Sequence, residues 1–304
     1  MRMGEAFVPA YRRLGLEALR RRAGAAYRQL KRCGLCGRMC AVNRLRGETG
    51  VCRAGRQVLI SGYGPHFGEE APLVGTHGSG TIFFTYCNLK CVFCQNYDIS
   101  WEGAGDVVTV RELAGIMLGL QKRGCHNVNF VSPTHYVPQI LAAVYLAARR
   151  GLNVPLVYNT GGYDALETLR LLDGIVDIYM PDVKYMDPAV AERLSGVKDY
   201  PETARRALRE MQRQVGDLVT DRRGIATRGL LVRHLVLPGG LAGTAALVDF
   251  LATEISPDCF LNVMGQYRPA YRARRFPPLD RRPTREEVQA AVRLARDRGL
   301  RVYA

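Results

Sequence analysis

From residue 81 onward, six apolar β-type runs alternate with amphipathic helical stripes, and this alternation restricts the fold more than any other feature. The runs lie at 81–86, 128–131, 155–158, 177–180, 229–237 and 260–264. Helical spacing falls between them, over 110–121, 139–149, 165–172, 202–215 and 244–254. The first of these helices opens with a capping box, Thr109-x-x-Glu112, and carries Leu113, Ile116, Met117 and Leu120 on one face. A last helix opens with Thr284-x-x-Glu287 and ends at Gly299. Strands separated by helices in this way form parallel βαβ units with right-handed crossovers. Six strands are two short of a closed eight-stranded α/β barrel.

Immediately after the first run stands a C-x3-C-x2-C sequence, Cys87, Cys91 and Cys94. Most ferredoxin-type iron–sulfur clusters take four cysteine ligands. Three thiolates on one short loop can hold three irons of a cubic 4Fe-4S cluster, which would leave the fourth open to a small molecule. Zinc usually requires four nitrogen or sulfur ligands, and His66, His77 and His126 are not at ligand spacing to this loop. A disulfide does not fit an odd trio.

In parallel α/β folds the functional groups gather at the carboxyl ends of the strands. Each predicted strand here ends in small, polar or charged residues. Beyond the cysteine loop that follows the first, they are Ser132-Pro133-Thr134-His135, Asn159-Thr160-Gly161-Gly162, Pro181-Asp182-Val183-Lys184, Pro238-Gly239-Gly240 and Gly265-Gln266-Tyr267-Arg268. Turn chemistry alone also places glycine and polar residues at strand ends. Six ends with the same character favour a site. Gln266, Tyr267 and Arg268 are candidate substrate-side groups. His234, within the fifth strand, is either a ribose or substrate contact or a satisfied structural histidine.

The stretches PHFGEEAPLVGTHGSGTIFFTYCNLKCVFCQNYDIS, NVNFVSPTHY, YNTGGYD, PDVKY, RHLVLPG and GQYRP cover most of residues 30 to 270. Together they resemble the radical S-adenosylmethionine (SAM) proteins related to pyruvate formate-lyase activating enzyme. The resemblance implies an α/β fold, an open six-stranded (β/α)6 partial barrel. It also implies a 4Fe-4S cluster on Cys87, Cys91 and Cys94 whose open iron chelates the methionine end of SAM. Phe93 matches the aromatic residue near the adenine, and Asp182 and Lys184 match an Asp-x-Lys motif near the SAM carboxylate and ribose. Asn159-Thr160 falls where those enzymes tend to have Asp-Thr beside a cation, and the Asn removes a negative charge there. Their Gly-Gly-Glu strand, which receives the SAM amino group, is replaced by Ser132-Pro133-Thr134-His135; backbone carbonyls, the Ser132 and Thr134 hydroxyls or neutral His135 would stand in for the Glu.

The activity implied is reductive cleavage of SAM to methionine and a 5′-deoxyadenosyl radical that abstracts hydrogen from a substrate. Flavodoxin or ferredoxin would supply the electron. A protein partner, as for a glycyl radical activase, is the expected target. A small-molecule or RNA substrate, or a non-catalytic iron–sulfur and SAM-binding module, are the alternatives.

Ahead of the strands, residues 12–31 show an amphipathic stripe of Leu16, Leu19, Ala23, Ala26 and Leu30. Then come Cys33, Cys36, Cys40 and Cys52, spaced C-x2-C-x3-C-x11-C. Four thiolates in so short a segment suit a second metal, and the spacing does not separate zinc from an auxiliary iron–sulfur cluster. Cys125 and Cys259 stand alone in apolar surroundings and are expected to pack as buried thiols. The Gly-rich stretch 62–80 reads as loop. We expect two units, an N-terminal helix and cysteine-rich metal-binding segment over 1–75 and a barrel core with a C-terminal extension over 76–304.

The N-terminus carries charge without a following apolar signal core, and no run reaches the length of a membrane-spanning helix. A reducing cytoplasm is therefore expected, where cysteines serve as ligands or buried thiols. The net charge of +15 comes from scattered arginines with no nucleic-acid-binding motif to focus them, so neither nucleic acid nor membrane is an expected partner.

Overall fold

The computed structural model describes residues 7–303. Residues 1–6, part of the N-terminal stretch read above for an export signal, lie outside the described residues. In chain order the elements are α1 (Ala10–Leu14), α2 (Leu16–Gln29), β1 (Val58–His66), α3 (Ala71–Val74), β2 (Ser79–Phe84), β3 (Asp106–Val108) and α4 (Val110–Lys122). There follow β4 (Val128–Val131), α5 (Val137–Arg149), β5 (Leu156–Thr160), α6 (Leu166–Leu172), β6 (Ile178–Pro181), α7 (Pro188–Ser195) and α8 (Tyr200–Val215). The chain ends with β7 (Val219–Thr220), β8 (Ala226–Leu235), α9 (Thr244–Phe250), β9 (Phe260–Met264), α10 (Arg285–Asp297) and β10 (Arg301–Tyr303).

The strands form one sheet in the order β10-β9-β8-β6-β5-β4-β2-β1-β3, with β7 paired on β8. All six expected strands are present as β2, β4, β5, β6, β8 and β9, and each pairs in parallel with its neighbour. No pairing joins β10 to β3 among the described residues, so the sheet stays an open partial barrel.

Alternation along the strands divides the core. Ile82, Phe130, Tyr158, Tyr179, Leu230 and Leu261 turn outward into the layer shared with the helices. Val157, Ile178, Met180 and Leu231 turn inward and pack on Leu73 of α3. Both predicted capping boxes form. Thr109 Oγ1 accepts from the Glu112 N–H at 3.1 Å while Glu112 accepts from the Thr109 N–H at 2.7 Å, and Thr284 with Glu287 repeats the exchange. Cys125 and Cys259 are buried.

Three local readings change. The stretch 62–80 is not a loop; it completes β1, forms α3 and starts β2. Its glycines and Pro65 misled because β3 pairs only with Val58–Ile60, which leaves Gly62–His66 as a free edge. Edge backbone tolerates such residues. The N-terminal helix is two helices, broken at Gly15, whose φ of +85° ends α1. Leu16 therefore leaves the stripe and is 43% exposed, whereas Leu19, Ala23 and Ala26 are buried in the core. The helix expected over 244–254 stops at Phe250 and continues as one wider π-helical turn, Leu251–Ile255. Among the described residues no helix is long and apolar enough to cross a membrane.

Asp177 pins two of these elements just before β6. Its carboxylate accepts from the Ala10 N–H at 2.7 Å and the Leu156 N–H at 2.9 Å. Burial outweighs these donors and pushes its pKa up to about 7 from 3.8. Between those values the folded chain keeps a proton that the unfolded chain has released, so stability falls as pH rises through the window. Asp177→Asn should remove that slope. In urea unfolding from about pH 4.5 to about pH 7.5, the wild type should lose on the order of 2 kcal/mol more than the variant. Parallel curves would contradict this.

Candidate active site

Because β2, β4, β5, β6, β8 and β9 run the same way, their carboxyl ends meet at one end of the sheet. They open on a cavity of about 230 Å3 lined by Cys87, Cys91 and Cys94 after β2, Ser132 after β4 and Asn159, Thr160 and Gly161 from β5. Asp182 and Lys184 after β6, Arg233 on β8, and Met264 and Gln266 from β9 complete the wall, with Phe93.

The cysteine loop is built at a conformational cost. Tyr86 (φ +69°) and Lys90 (φ +63°) stand in the left-handed region directly before Cys87 and Cys91, and Ser132 across the cavity does likewise at +54°. Such non-glycine residues cost on the order of 1–3 kcal/mol each and persist where their surroundings over-determine them. The surroundings here are polar and specific. The Lys90 ammonium donates to the Ser100 carbonyl at 2.8 Å and lies over the Tyr86 and Trp101 rings. Trp101 Nε1 donates to the Cys91 carbonyl at 3.0 Å. Burial lowers the Lys90 pKa.

Each sulfur has a hydrogen-bond donor within reach. Ser195 Oγ donates to Cys91 Sγ at 3.0 Å, Ser100 Oγ to Cys94 Sγ at 3.1 Å, and the Leu89 N–H approaches Cys87 Sγ at 3.5 Å. Burial pushes the Cys91 thiol up to about 11 and raises that of Cys94. Among the described residues no three His, Cys, Asp or Glu side chains converge at the distances a single ion needs. A cluster binds each thiolate to a different iron, so its ligands need not meet around one point. Three thiols lining one cavity, with donors set on the sulfurs, fit such a group.

Opposite the cysteines lies a charge network. Lys184 Nζ meets Asp182 Oδ2 at 2.8 Å, and Arg233 reaches Asp182 at 3.6 Å and Glu69 at 3.3 Å. Burial by itself would raise the Asp182 pKa, but Lys184 and Arg233 outweigh it and hold the carboxyl below its usual value. The same pairing holds Lys184 above its usual value against burial. Asp182 Oδ1 is buried with no hydrogen-bond partner among the described residues. A cavity-lining acceptor left open in this way suits a ligand donor.

The expected site residues divide. Phe93, Ser132, Asn159, Thr160, Asp182 and Lys184 line the cavity with the three cysteines and Gln266. Phe93 also packs edge-on against Tyr185 and Tyr267. Thr134 and His234 do not line it. Thr134 is buried and donates to Asp164 at 2.8 Å, as Thr160 and Tyr158 also do. The Thr160 hydroxyl is thus committed to Asp164. His234 faces the helices, with Nδ1 at 3.0 Å from the Val183 carbonyl and Nε2 at 2.9 Å from Thr244 Oγ1. Of its two readings His234 takes the structural one, and strand alternation explains it, because Arg233 faces inward and its neighbour must face out. Tyr267 is buried and its hydroxyl donates to the Leu279 carbonyl, while Arg268 is exposed. His135, also buried, is bonded to the Thr85 carbonyl. Alternation could have flagged Arg233. Ser100, Ser195, Lys90 and Trp101 carried no signal in the sequence.

The sequence family described as the radical SAM superfamily matches residues 81–223. An uncharacterized protein of Methanocaldococcus jannaschii is 36% identical over 276 residues, covering 87% of this chain and 74% of that protein. Among solved structures, a domain of pyruvate-formate lyase-activating enzyme from Bacteroides vulgatus aligns with a TM-score of 0.43 at 15% identity, covering 58% of this chain and 96% of that one. A radical SAM methyltransferase from Sphaerobacter thermophilus aligns with a TM-score of 0.49 at 15% identity, covering 73% and 65%.

Ser195 carries two contacts, since the buried Tyr185 hydroxyl lies 2.8 Å from its Oγ. Ser195→Ala should cost about 1–3 kcal/mol in urea unfolding, because a buried hydroxyl loses its partner. Adding Tyr185→Phe should cost much less than it does in the wild-type chain, since the pair acts as a unit. Strictly additive losses would show that the two hydroxyls do not depend on each other.

Proposed function

This chain belongs to the radical SAM superfamily and is an enzyme, and we propose that it acts on a protein partner, in the manner of a glycyl radical activase. In this reading Cys87, Cys91 and Cys94 hold a 4Fe-4S cluster, and SAM occupies the cavity beside it. When reduced by an external one-electron donor, such a cluster would supply the cleavage of SAM to methionine and a 5′-deoxyadenosyl radical. The chain's own groups bind and orient. Lys184 offers a cation to the SAM carboxylate, and the open Asp182 Oδ1 accepts from a ligand hydroxyl or ammonium. Ser132 and Asn159 supply further polar contacts from β4 and β5, and Phe93 packs against the adenine. Lys90, over the Trp101 ring, and the Trp101 bond to the Cys91 carbonyl hold the shape of the loop.

A rim of aromatic rings and arginine carries the choice of a protein target. Tyr97 stacks on Tyr271 at 5.2 Å, Trp101 leans on Tyr271 at 5.1 Å, and the Arg272 guanidinium lies over both Trp101 and Tyr271. The Tyr97 and Trp101 end of this rim adjoins in sequence the cavity-lining Gln95, Asn96, Ile99 and Ser100. Tyr, Trp and Arg are the residues enriched at protein-interface hot spots.

Two measurements test the reading. Anaerobically reconstituted enzyme given SAM and a strong reductant should form 5′-deoxyadenosine. Cys91→Ala should form none, and Asp182→Asn should raise the SAM concentration for half-saturation by about tenfold, roughly the loss of one charge-assisted hydrogen bond. Fractionated protein from the source cells should then accelerate SAM cleavage in a way that survives ribonuclease and is lost to protease. Acceleration that survives protease, or passes a small-molecule filter, would overturn the protein target.

A further inference from the structure

Cys33, Cys36, Cys40 and Cys52 take no part in the site above. They lie within twenty residues and remain free thiols, with Cys33, Cys36 and Cys52 buried and Cys40 half-buried. Their segment has little core or regular structure of its own. Its regular structure is one short turn, Arg44–Arg46, and its apolar cluster is Leu30, Cys33 and Leu35 with Tyr27, Cys40 and Val42 at the margin. Such a core is too small to fix a segment of this length, and small segments of this kind are commonly stapled by a metal.

The backbone nonetheless gathers the four residues. The Cys33 N–H donates to the Val42 carbonyl at 3.0 Å and the Ala41 N–H returns to the Cys33 carbonyl at 2.9 Å, folding Cys36 and Cys40 back beside Cys33. The chain before Cys52 passes directly over Cys40, where a Cβ on Gly50 would stand 2.6 Å from Cys40 Sγ. Met39 (φ +43°) and Ala41 (φ +55°) flank Cys40, and Arg53 (φ +57°) follows Cys52. This is the device found at Tyr86 and Lys90 before Cys87 and Cys91. Of the seven non-glycine residues with positive φ among the described residues, five adjoin a cysteine of one set or the other. Left-handed backbone beside Cys40 and Cys52, as beside Cys87 and Cys91, is costly and is retained where something repays its cost.

We infer that Cys33, Cys36, Cys40 and Cys52 hold a second thiolate-bound metal centre, and that this centre positions the Cys87–Cys94 loop. Loading releases the four thiol protons. The sulfurs do not converge at single-ion distance as they stand, so a zinc ion draws the turns inward, whereas a multi-iron core spans wider thiolates. Positioning runs through Arg38, which lies between Cys36 and Cys40. Its guanidinium donates to the Asn88 and Leu89 carbonyls of the loop at 3.0 and 2.9 Å, and to the Ser195 and Gly196 carbonyls at 2.9 and 2.8 Å. Gly37 beside it packs against the Tyr163 ring with no room for a Cβ, and its N–H donates to the Tyr163 carbonyl at 3.3 Å.

The test does not depend on radical chemistry. The Cys87→Ala, Cys91→Ala, Cys94→Ala chain, purified without oxygen and reconstituted with iron and sulfide or with zinc, should retain either about one zinc or about four irons with four sulfides. The two outcomes distinguish the two kinds of centre. Cys36→Ser, Cys52→Ser should lose that metal and keep the iron of the first set. A folded triple-alanine chain that holds neither zinc nor iron overturns the site, and decides the matter even if the serine variant does not fold. Hydrogen exchange across 88–91 and 195–196 should quicken at least tenfold when the second centre is removed, read from the serine variant against loaded wild type or from the triple-alanine chain with and without its metal. Unchanged exchange overturns the positioning role.

Discussion

A single guanidinium holds together the parts on which the site depends. Arg38 donates to four carbonyls from two places in the chain, Asn88 and Leu89 in the cysteine loop and Ser195 and Gly196 at the end of α7. The last carbonyls of a helix have no partners within it and carry a partial negative charge. A fixed planar cation satisfies them and ties the helix end to the loop in one contact. Ser195, placed by that helix end, then presents its hydroxyl to Cys91. The strained Lys90 peptide persists because Arg38 holds the carbonyl just before it and Trp101 holds the carbonyl just after.

The far wall is organised by charge. Arg233 sits among Asp182, Glu69 and Glu70, and Asn262 donates to Glu70 at 2.7 Å. Glu69 and Glu70 come from the turn between β1 and α3, the stretch whose composition reads as loop. Burial raises the Glu69 pKa against the pull of Arg233. Buried charges of this kind are costly when left incomplete. The network keeps Asp182 ionised and held by Lys184 and Arg233 while one of its oxygens stays open. Preorganisation of this sort lets a ligand bind without first rearranging the wall.

The strands were legible because parallel strands buried on both faces are short continuous apolar runs, and those of β2, β4, β5, β6, β8 and β9 stand clear of their flanking helices. The capping boxes at Thr109 and Thr284 were legible because their partners are three residues apart. The edge strand β1 was hidden, since its pairing uses backbone and its glycines and proline carry turn signals. His234 and Thr134 sit next to site residues in sequence but face the wrong side of a strand or a buried Asp164. Arg38 could not be found at all. Its partners are main-chain oxygens 50 to 158 positions away, and main-chain oxygens have no residue identity to read.

What the amino-acid order determined by itself was local or periodic. It set the parallel units and the three-cysteine loop at one end of them, because hydrophobic period and ligand spacing are short-range properties. Only the folded chain decided which polar residues face the cavity, which acid keeps an oxygen open, and how the N-terminal cysteine segment is fastened to the loop. Those outcomes depend on side-chain direction and on contacts between distant segments, and neither is encoded at any one stretch of the chain.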